Sequence, residues 1–293
     1  MTTHTDQREP AARTNARMWR LRALRVLLCG AQWLSPRLSG RLASWLWFMP
    51  GAHARNPRPH PVFNEATEIH FAQDRNTLVA YRWGSGPRVL LMHGWGGNAS
   101  HLAKFVRPLV TAGFEVTALD GPAHGRSSGR STTVLEIADA IAWLVEHHGT
   151  FYAAITHSFG AMAVVLAMQR GVSMRRLVLI SPPAHAEGLV TKFASRLSLR
   201  QPTIDVLRRQ VERRSCPEVW DWLGLDRLSP PPAVPTLVIH DLDDADVPVA
   251  EGRSLVRHWP HARLMETRGL GHRLILRDRE VITTAVQALC DAS

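Results

Sequence analysis

Short, continuous apolar runs recur along residues 66–293 and alternate with segments of helical periodicity. Strands that are buried on both faces have this composition, because neither face has to be polar. The runs lie at 89–92, 116–119, 152–155, 177–180, 236–239 and 263–266, and the helical segments at about 99–112, 132–147, 159–170, 250–258 and 278–290. The alternation predicts an α/β fold with a mostly parallel central sheet of about eight strands flanked by helices.

Two interruptions of this alternation suggest how the chain is divided. Residues 68–72 and 78–83 predict an antiparallel hairpin ahead of the parallel strands. Between about 183 and 232 no strand-like run occurs, which predicts a small helical cap inserted over the strand ends. We therefore expect a basic helical extension and Pro-rich linker at 1–61, followed by an α/β domain at 62–293 that carries this cap.

The net charge of +10 is concentrated at the start of the chain, where residues 1–60 hold ten arginines against two acidic residues. No RNA-binding or helix-turn-helix signature accompanies this charge, so no nucleic-acid partner is expected. The three cysteines form neither a disulfide framework nor a metal-ligand spacing: Cys29, Cys216 and Cys290. Their scatter favours a reducing, cytoplasmic compartment.

Residues 18–48 interleave arginine with leucine and tryptophan, which predicts one or two basic helices. The apolar stretch between Arg25 and Arg37 is too short to cross a bilayer. The more ordinary interpretation is a helix that packs on the following domain, or a leader. The sharper one is peripheral contact with an anionic membrane surface, with four tryptophans at headgroup level: Trp19, Trp33, Trp45 and Trp47.

The segment Thr156-His-Ser-Phe-Gly160 joins a predicted strand directly to a helix of small residues. A serine at such a junction sits on a sharp turn, so Ser158 projects its hydroxyl at the top of the sheet. The amides of the first helical turn then face any charge that develops there. The alternative interpretation is that Ser158 only caps the helix.

The glycine-rich segment His93-Gly-Trp-Gly-Gly97 also follows a predicted strand. Glycines let the backbone turn its N–H groups toward a ligand, so the amides of Trp95 and Phe159 are the natural pair for an oxyanion hole. A phosphate-binding loop is the rival interpretation, but no Gly-Lys-Ser/Thr follows the glycines.

Two further segments place an acid and a base after strands. Residues 240–248 contain four aspartates without the spacing, glycine or terminal glutamate of an EF-hand, so a calcium loop is not indicated. Residues 269–272 read Gly-Leu-Gly-His, and the paired glycines give a loop that can bring His272 over the sheet.

The order Ser158, Asp244, His272, each after a strand, resembles the α/β-hydrolase fold superfamily from about residue 66 to the end of the chain. The segment 120–127 also looks like the loop after that family's fourth strand. The resemblance implies Ser158 as nucleophile, His272 as general base and Asp244, three residues before Val247-Pro248, as the orienting acid. Asp243 and Asp246 remain rivals. The family usually has glycine where Thr156 stands, and a β-branched residue crowds that turn.

The resemblance implies a serine hydrolase of carboxylesterase type, acting through an acyl-enzyme on a small or medium apolar ester, with no cofactor and no metal. Two alternatives stay open: a perhydrolase or haloperoxidase-like enzyme with the same triad, or a non-catalytic or membrane-recruited binding protein. Four aromatic residues are candidates for an apolar substrate pocket, although each is equally compatible with the core: Trp95, Phe193, Trp220 and Trp222. The oligomeric state is not indicated.

Overall fold

The computed structural model describes residues 9–55 and 60–290, with the side chains of residues 9–18, 20, 21, 52 and 53 left out of the description. Residues 1–8 and 56–59 of the predicted extension and linker lie outside the described residues. The chain forms two compact units. We call residues 1–47 with 187–216 the helical unit, and residues 48–186 with 217–293 the sheet unit.

The sheet unit is built on eight strands in the order β1-β2-β4-β3-β5-β6-β7-β8. Their bounds are β1 Thr67–Gln73, β2 Asn76–Trp83, β3 Arg88–Met92, β4 Glu115–Asp120, β5 Ala153–His157, β6 Arg176–Ile180, β7 Thr236–Asp241 and β8 Ala262–Thr267. Strand β2 pairs antiparallel with β1 and β4, and the other neighbouring strands pair parallel. The predicted α/β fold with a mostly parallel sheet and an antiparallel hairpin is therefore confirmed.

Eleven α-helices occur in the described residues. They are α1 Glu9–Leu34, α2 Pro36–Trp47, α3 Ala103–Thr111, α4 Val134–His148, α5 Phe159–Gln169, α6 Ala186–Leu197, α7 Gln201–Arg214, α8 Val219–Trp222, α9 Val249–His258, α10 Gly271–Leu274 and α11 Arg279–Cys290. None of those described helices is long and apolar enough to span a membrane.

The central strands are buried along their whole length, because helices cover both faces of the sheet. Every residue of β5, β6 and β7 is buried, and the burial continues into α5, where eight consecutive residues from Gly160 to Ala167 are inaccessible. A helix that is apolar on all sides is buried in the core. The burial of α5 on all sides holds the junction between β5 and α5 in place.

The helical unit consists of α1 and α2 packed against α6 and α7. Helix α2 meets α7 through Gly40, where an added Cβ would lie 2.4 Å from the Cβ of Val206. Helix α1 is fastened to the α6–α7 turn through Gln32, whose amide nitrogen donates to the Ser198 carbonyl and whose oxygen accepts from the Arg200 amide. The sequence predicted a separate extension at 1–61 and a cap at about 183–232. In the structure, α1 and α2 instead form one compact unit with residues 187–216 of that cap.

Candidate active site

The junction between β5 and α5 forces Ser158 into an unusual backbone conformation, with φ 52° and ψ −127°. A non-glycine residue there stores on the order of 1–3 kcal/mol of strain, which persists only because the surrounding structure fixes it. Helix α5 approaches β3 so closely that a Cβ on Gly160 would lie 2.6 Å from the carbonyl oxygens of Met92 and His93. Thr156 is accommodated as a buried residue of β5.

His272 is the second residue of α10 and contacts an aspartate from the loop after β7. Its Nδ1 donates to Oδ2 of Asp244 at 2.7 Å. The Asp244 side chain is buried, and its Oδ1 accepts from the amides of Asp246 and Val247 at 2.8 Å each. Burial alone would raise the pKa of Asp244, but the hydrogen bond and charge of His272 outweigh it and lower the pKa to about 2. Because an ionised carboxylate only accepts, the proton of neutral His272 is on Nδ1 and Nε2 carries the lone pair.

Asp241 holds the loop that carries His272. Its carboxylate accepts four hydrogen bonds, from the amides of Asp243, Leu270 and Gly271 and from the Thr267 hydroxyl. Burial opposes ionisation here, yet these donors together lower the pKa of Asp241. One donor follows β7 and the other three lie from the end of β8 to the start of α10, so Asp241 positions the loop that carries His272 relative to the end of β7.

The rival aspartates have other contacts. Oδ2 of Asp243 accepts from the Gly269 amide at 2.9 Å, so its carboxylate supports the same loop without touching His272. The amide of Asp246 donates to Asp244. Of the three predicted candidates, Asp244 has the described hydrogen bond to His272.

The loop after β3 contains Trp95, and α5 begins with Phe159, the residue after Ser158. No residue in the described part of the chain accepts a hydrogen bond from either backbone amide. The same holds for the Ser158 hydroxyl and for Nε2 of His272, whose described contacts do not include a hydrogen-bond partner. Two backbone N–H groups, one serine hydroxyl and one imidazole nitrogen are therefore left without a hydrogen-bond partner among the described residues. A Cβ on Gly94 would lie 2.9 Å from that of Ser158, which places the loop directly against the serine.

Two buried histidines hold this loop in shape. Nε2 of His124 accepts from the Gly96 amide at 3.1 Å, and Nε2 of His93 accepts from the Gly121 amide at 3.1 Å. Burial lowers the pKa of His93 to about 4 and holds the pKa of His124 well below its usual value. Both rings can accept because they are neutral.

His157, the residue before Ser158, contacts His272. Its Nε2 donates to the carbonyl oxygen of His272 at 2.8 Å, and the two ring centroids lie 4.6 Å apart. Burial, assisted by the charge of His272, lowers the pKa of His157 to about 3. The β5–α5 junction that carries Ser158, which we call the elbow, is therefore in direct contact with the loop that carries His272.

The fold has clear counterparts among known proteins. A family model described as alpha/beta hydrolase fold matches residues 87–203, which include β3, the segment 93–97 and the β5–α5 junction. Solved structures match over most of the chain. An esterase from Pyrococcus furiosus is 18% identical with a TM-score of 0.60, covering 80% of this chain and 95% of the esterase. The chain has the α/β-hydrolase fold.

A second solved structure of comparable likeness is that of a differently named enzyme. A bromoperoxidase from Bacillus anthracis is 18% identical with a TM-score of 0.60, covering 77% of this chain and 100% of that one. At such identity the likeness shows the fold alone.

Two curated relatives match at higher identity over shorter regions. The dihydrolipoyllysine-residue acetyltransferase component of the acetoin cleaving system from Cupriavidus necator is 31% identical over 154 residues, which are 48% of this chain and 41% of that protein. The human serine hydrolase-like protein is 34% identical over 106 residues, 33% of this chain and 50% of that one. The chain spans half or less of the length of these relatives.

Not all of the predicted pocket residues lie near the β5–α5 junction that carries Ser158. Trp95 is there, with its ring edge-on to Phe159 at 5.2 Å. Phe193 packs edge-on against Trp47 within the helical unit. Trp222 lines a cavity of about 820 Å³ together with most of the residues from Val165 to Met174, at the end of α5 opposite Ser158. Trp220 lies beside it on α8.

Three positioning residues escaped the sequence analysis: His157, Asp241 and His124. The signal for Asp241 was visible as an aspartate ending a buried strand, but nothing local distinguished it from its neighbours. The two histidines stand inside quoted motifs, and their partners are 28 or more residues away in sequence.

Proposed function

We propose that the protein is a serine hydrolase that cleaves carboxylic esters of small or medium apolar acids through an acyl-enzyme. The observation that carries the proposal is the Asp244–His272 pair, joined by His157 to an elbow that holds Ser158 in a strained conformation. A fold has no need of such strain for its own stability, and strained residues cluster at sites of function.

The chemistry begins with transfer of the Ser158 hydroxyl proton to Nε2 of His272 as the serine oxygen attacks the ester carbonyl. The carbonyl π electrons move to oxygen, and the amides of Trp95 and Phe159 hold the resulting oxyanion. Collapse breaks the bond to the alcohol, which leaves with the proton from His272. Water, deprotonated by His272, then releases the acid and restores Ser158. Asp244 stays ionised throughout, since its pKa of about 2 is far below neutral pH.

Apolar substrates are favoured by the side chains beside these groups. The half-buried rings of Trp95 and Phe159 form one apolar wall. Leu274, two residues after His272, is 55% exposed. An exposed leucine next to a candidate base is better explained by contact with an acyl or alcohol chain than by the core.

The test is hydrolysis of p-nitrophenyl esters of increasing acyl length by wild type, Ser158→Ala and the control Ser198→Ala. Ser198 also has a positive φ, but it lies in the helical unit between α6 and α7. We expect Ser158→Ala to lower kcat by at least about 10⁴-fold and the control to retain wild-type kcat. Folded Ser158→Ala protein with near wild-type activity would refute the nucleophile. A wild type that hydrolyses none of the esters would favour the non-catalytic alternative.

A further inference from the structure

The outer side of α1 and α2 exposes a row of bulky apolar residues. Among the described residues nine large hydrophobic side chains are exposed, and seven of them belong to these two helices. We call these seven the apolar row: Trp19, Val26, Leu27, Trp33, Leu34, Leu38 and Trp45, which are 57–84% exposed. In α1 they recur at intervals of about seven residues, which places them along one side of the helix.

Packing within the helical unit does not explain the apolar row, because α2 turns its small residues inward. The buried positions of α2 are Ser39, Gly40, Ala43 and Ser44. The Ser39 hydroxyl lies 2.9 Å from that of Thr203, and Gly40 meets Val206 with no room for a side chain. Leu38 and Trp45 are left outside. A helix of a globular domain ordinarily has the opposite polarity, so this face is built for a partner.

All of the net charge of the protein lies in the same unit. The helical unit contains fifteen arginines and lysines against five acidic residues, whereas the sheet unit contains twenty of each. The exposed residues Arg22, Arg37 and Arg41 lie on α1 and α2 beside the apolar row, and the Arg200 guanidinium lies 4.0 Å from the centre of the Trp33 ring. A partner of this face has to accept apolar side chains and supply negative charge.

We propose that the apolar row docks onto an anionic lipid membrane, with α1 and α2 lying in the headgroup region. Tryptophan and arginine are the side chains that occupy this region, and leucine and valine reach the acyl boundary. A second copy of the chain would bring like charges together. A nucleic acid would attract the arginines but would leave Val26, Leu27 and Leu34 in water. This inference concerns the helical unit and is independent of the proposed hydrolysis.

The experiment is flotation of the full chain with vesicles of phosphatidylcholine alone or with about 30 mol% phosphatidylglycerol, at low and high salt. Binding is expected only to the anionic vesicles and to fall steeply with salt. Arg37→Gln combined with Arg41→Gln should reduce partitioning about 30-fold, at about 1 kcal/mol per arginine. Arg175→Gln combined with Arg257→Gln removes the same charge from exposed positions of the sheet unit and should leave binding unchanged.

The apolar contribution is tested separately. Leu34→Ser should weaken binding about tenfold, whereas Val110→Ser, at an exposed apolar position of α3, should not. Absence of binding to anionic vesicles at low salt would overturn the proposal. Equal losses of vesicle binding in the two double-arginine variants would also overturn it, because binding would then follow net charge alone. Tight binding to a DNA duplex that survives Leu34→Ser, or a dimer that Leu34→Ser dissociates, would replace the membrane by those partners.

Discussion

Acidification should destabilise the protein steeply below about pH 6.5, because histidines beside Ser158 are buried in the neutral form. The pKa of His93 is lowered by burial to about 4 and that of His157 to about 3, whereas an unfolded histidine has a pKa of 6.5. The folded-state pKa is the lower one, so the unfolded chain takes up protons first. The stability is fully present above pH 6.5 and is lost as pH falls toward 4.

The size of the effect follows from the two pKa values. At about pH 5 each of these histidines is neutral when folded and protonated when unfolded, which reduces the free energy of unfolding by about 2 kcal/mol. Protonation of His93 and His157 in the unfolded chain together lowers the free energy of unfolding by about 4 kcal/mol, out of a typical total of about 5–15 kcal/mol. The pKa of His124 is shifted in the same direction and adds to the loss.

Urea unfolding at about pH 7.5 and about pH 5 measures this loss, and His93→Gln isolates one contribution. Glutamine retains an acceptor for the Gly121 amide but does not titrate. The difference in unfolding free energy between the two pH values should therefore shrink by about 2 kcal/mol in His93→Gln. His261→Gln, at an exposed position, should leave it unchanged. An undiminished difference in His93→Gln would refute the buried-histidine argument.

Three substitutions test the remaining geometry. Asp244→Asn should lower kcat by about 10³–10⁴-fold because the wrong histidine tautomer is stabilised, whereas the exposed Asp246→Asn should stay near wild type in the same ester assay; equal losses would contradict the choice of acid. Asp241→Asn turns an amide toward hydrogen-bond donors, so urea unfolding should show a free energy of unfolding lower by about 1–3 kcal/mol, together with reduced kcat/KM. A variant with unchanged stability and kcat/KM would show that Asp241 has no positioning role. Gly160→Ala places a Cβ against the backbone at the end of β3, so we expect the free energy of unfolding to fall by about 1–3 kcal/mol. Wild-type stability would mean that α5 can move away from β3.

Local sequence patterns were sufficient to predict the sheet and to single out Ser158, Asp244 and His272 as candidates. Strands β5, β6 and β7 are continuous runs of buried residues, and that apolar pattern does not depend on distant partners. Ser158, Asp244 and His272 follow β5, β7 and β8, and the carboxyl ends of parallel strands meet at one edge of a sheet. Their proximity could therefore be predicted from their order alone.

Contacts between distant segments could not be predicted in this way. Helix α2 reaches α7 through Gly40 and Val206, which are 166 positions apart, and neither residue has a local signature. Because residues 187–216 belong to the same unit as the N-terminal helices, their seven basic residues add to the charge of the N-terminal arginines. His157 and Asp241 were missed because their importance lies in which backbone groups they meet.

The central claim, that Ser158 is an activated nucleophile, is tested most directly by a fluorophosphonate probe followed by mass spectrometry of the labelled peptide. The account predicts one covalent adduct per chain, on Ser158, formed by wild type and by Ser198→Ala and lost in Ser158→Ala. His272→Gln should slow labelling by at least about 10²-fold, because the base is then absent. A wild-type protein that does not react, or an adduct on another residue that survives in Ser158→Ala, would contradict it.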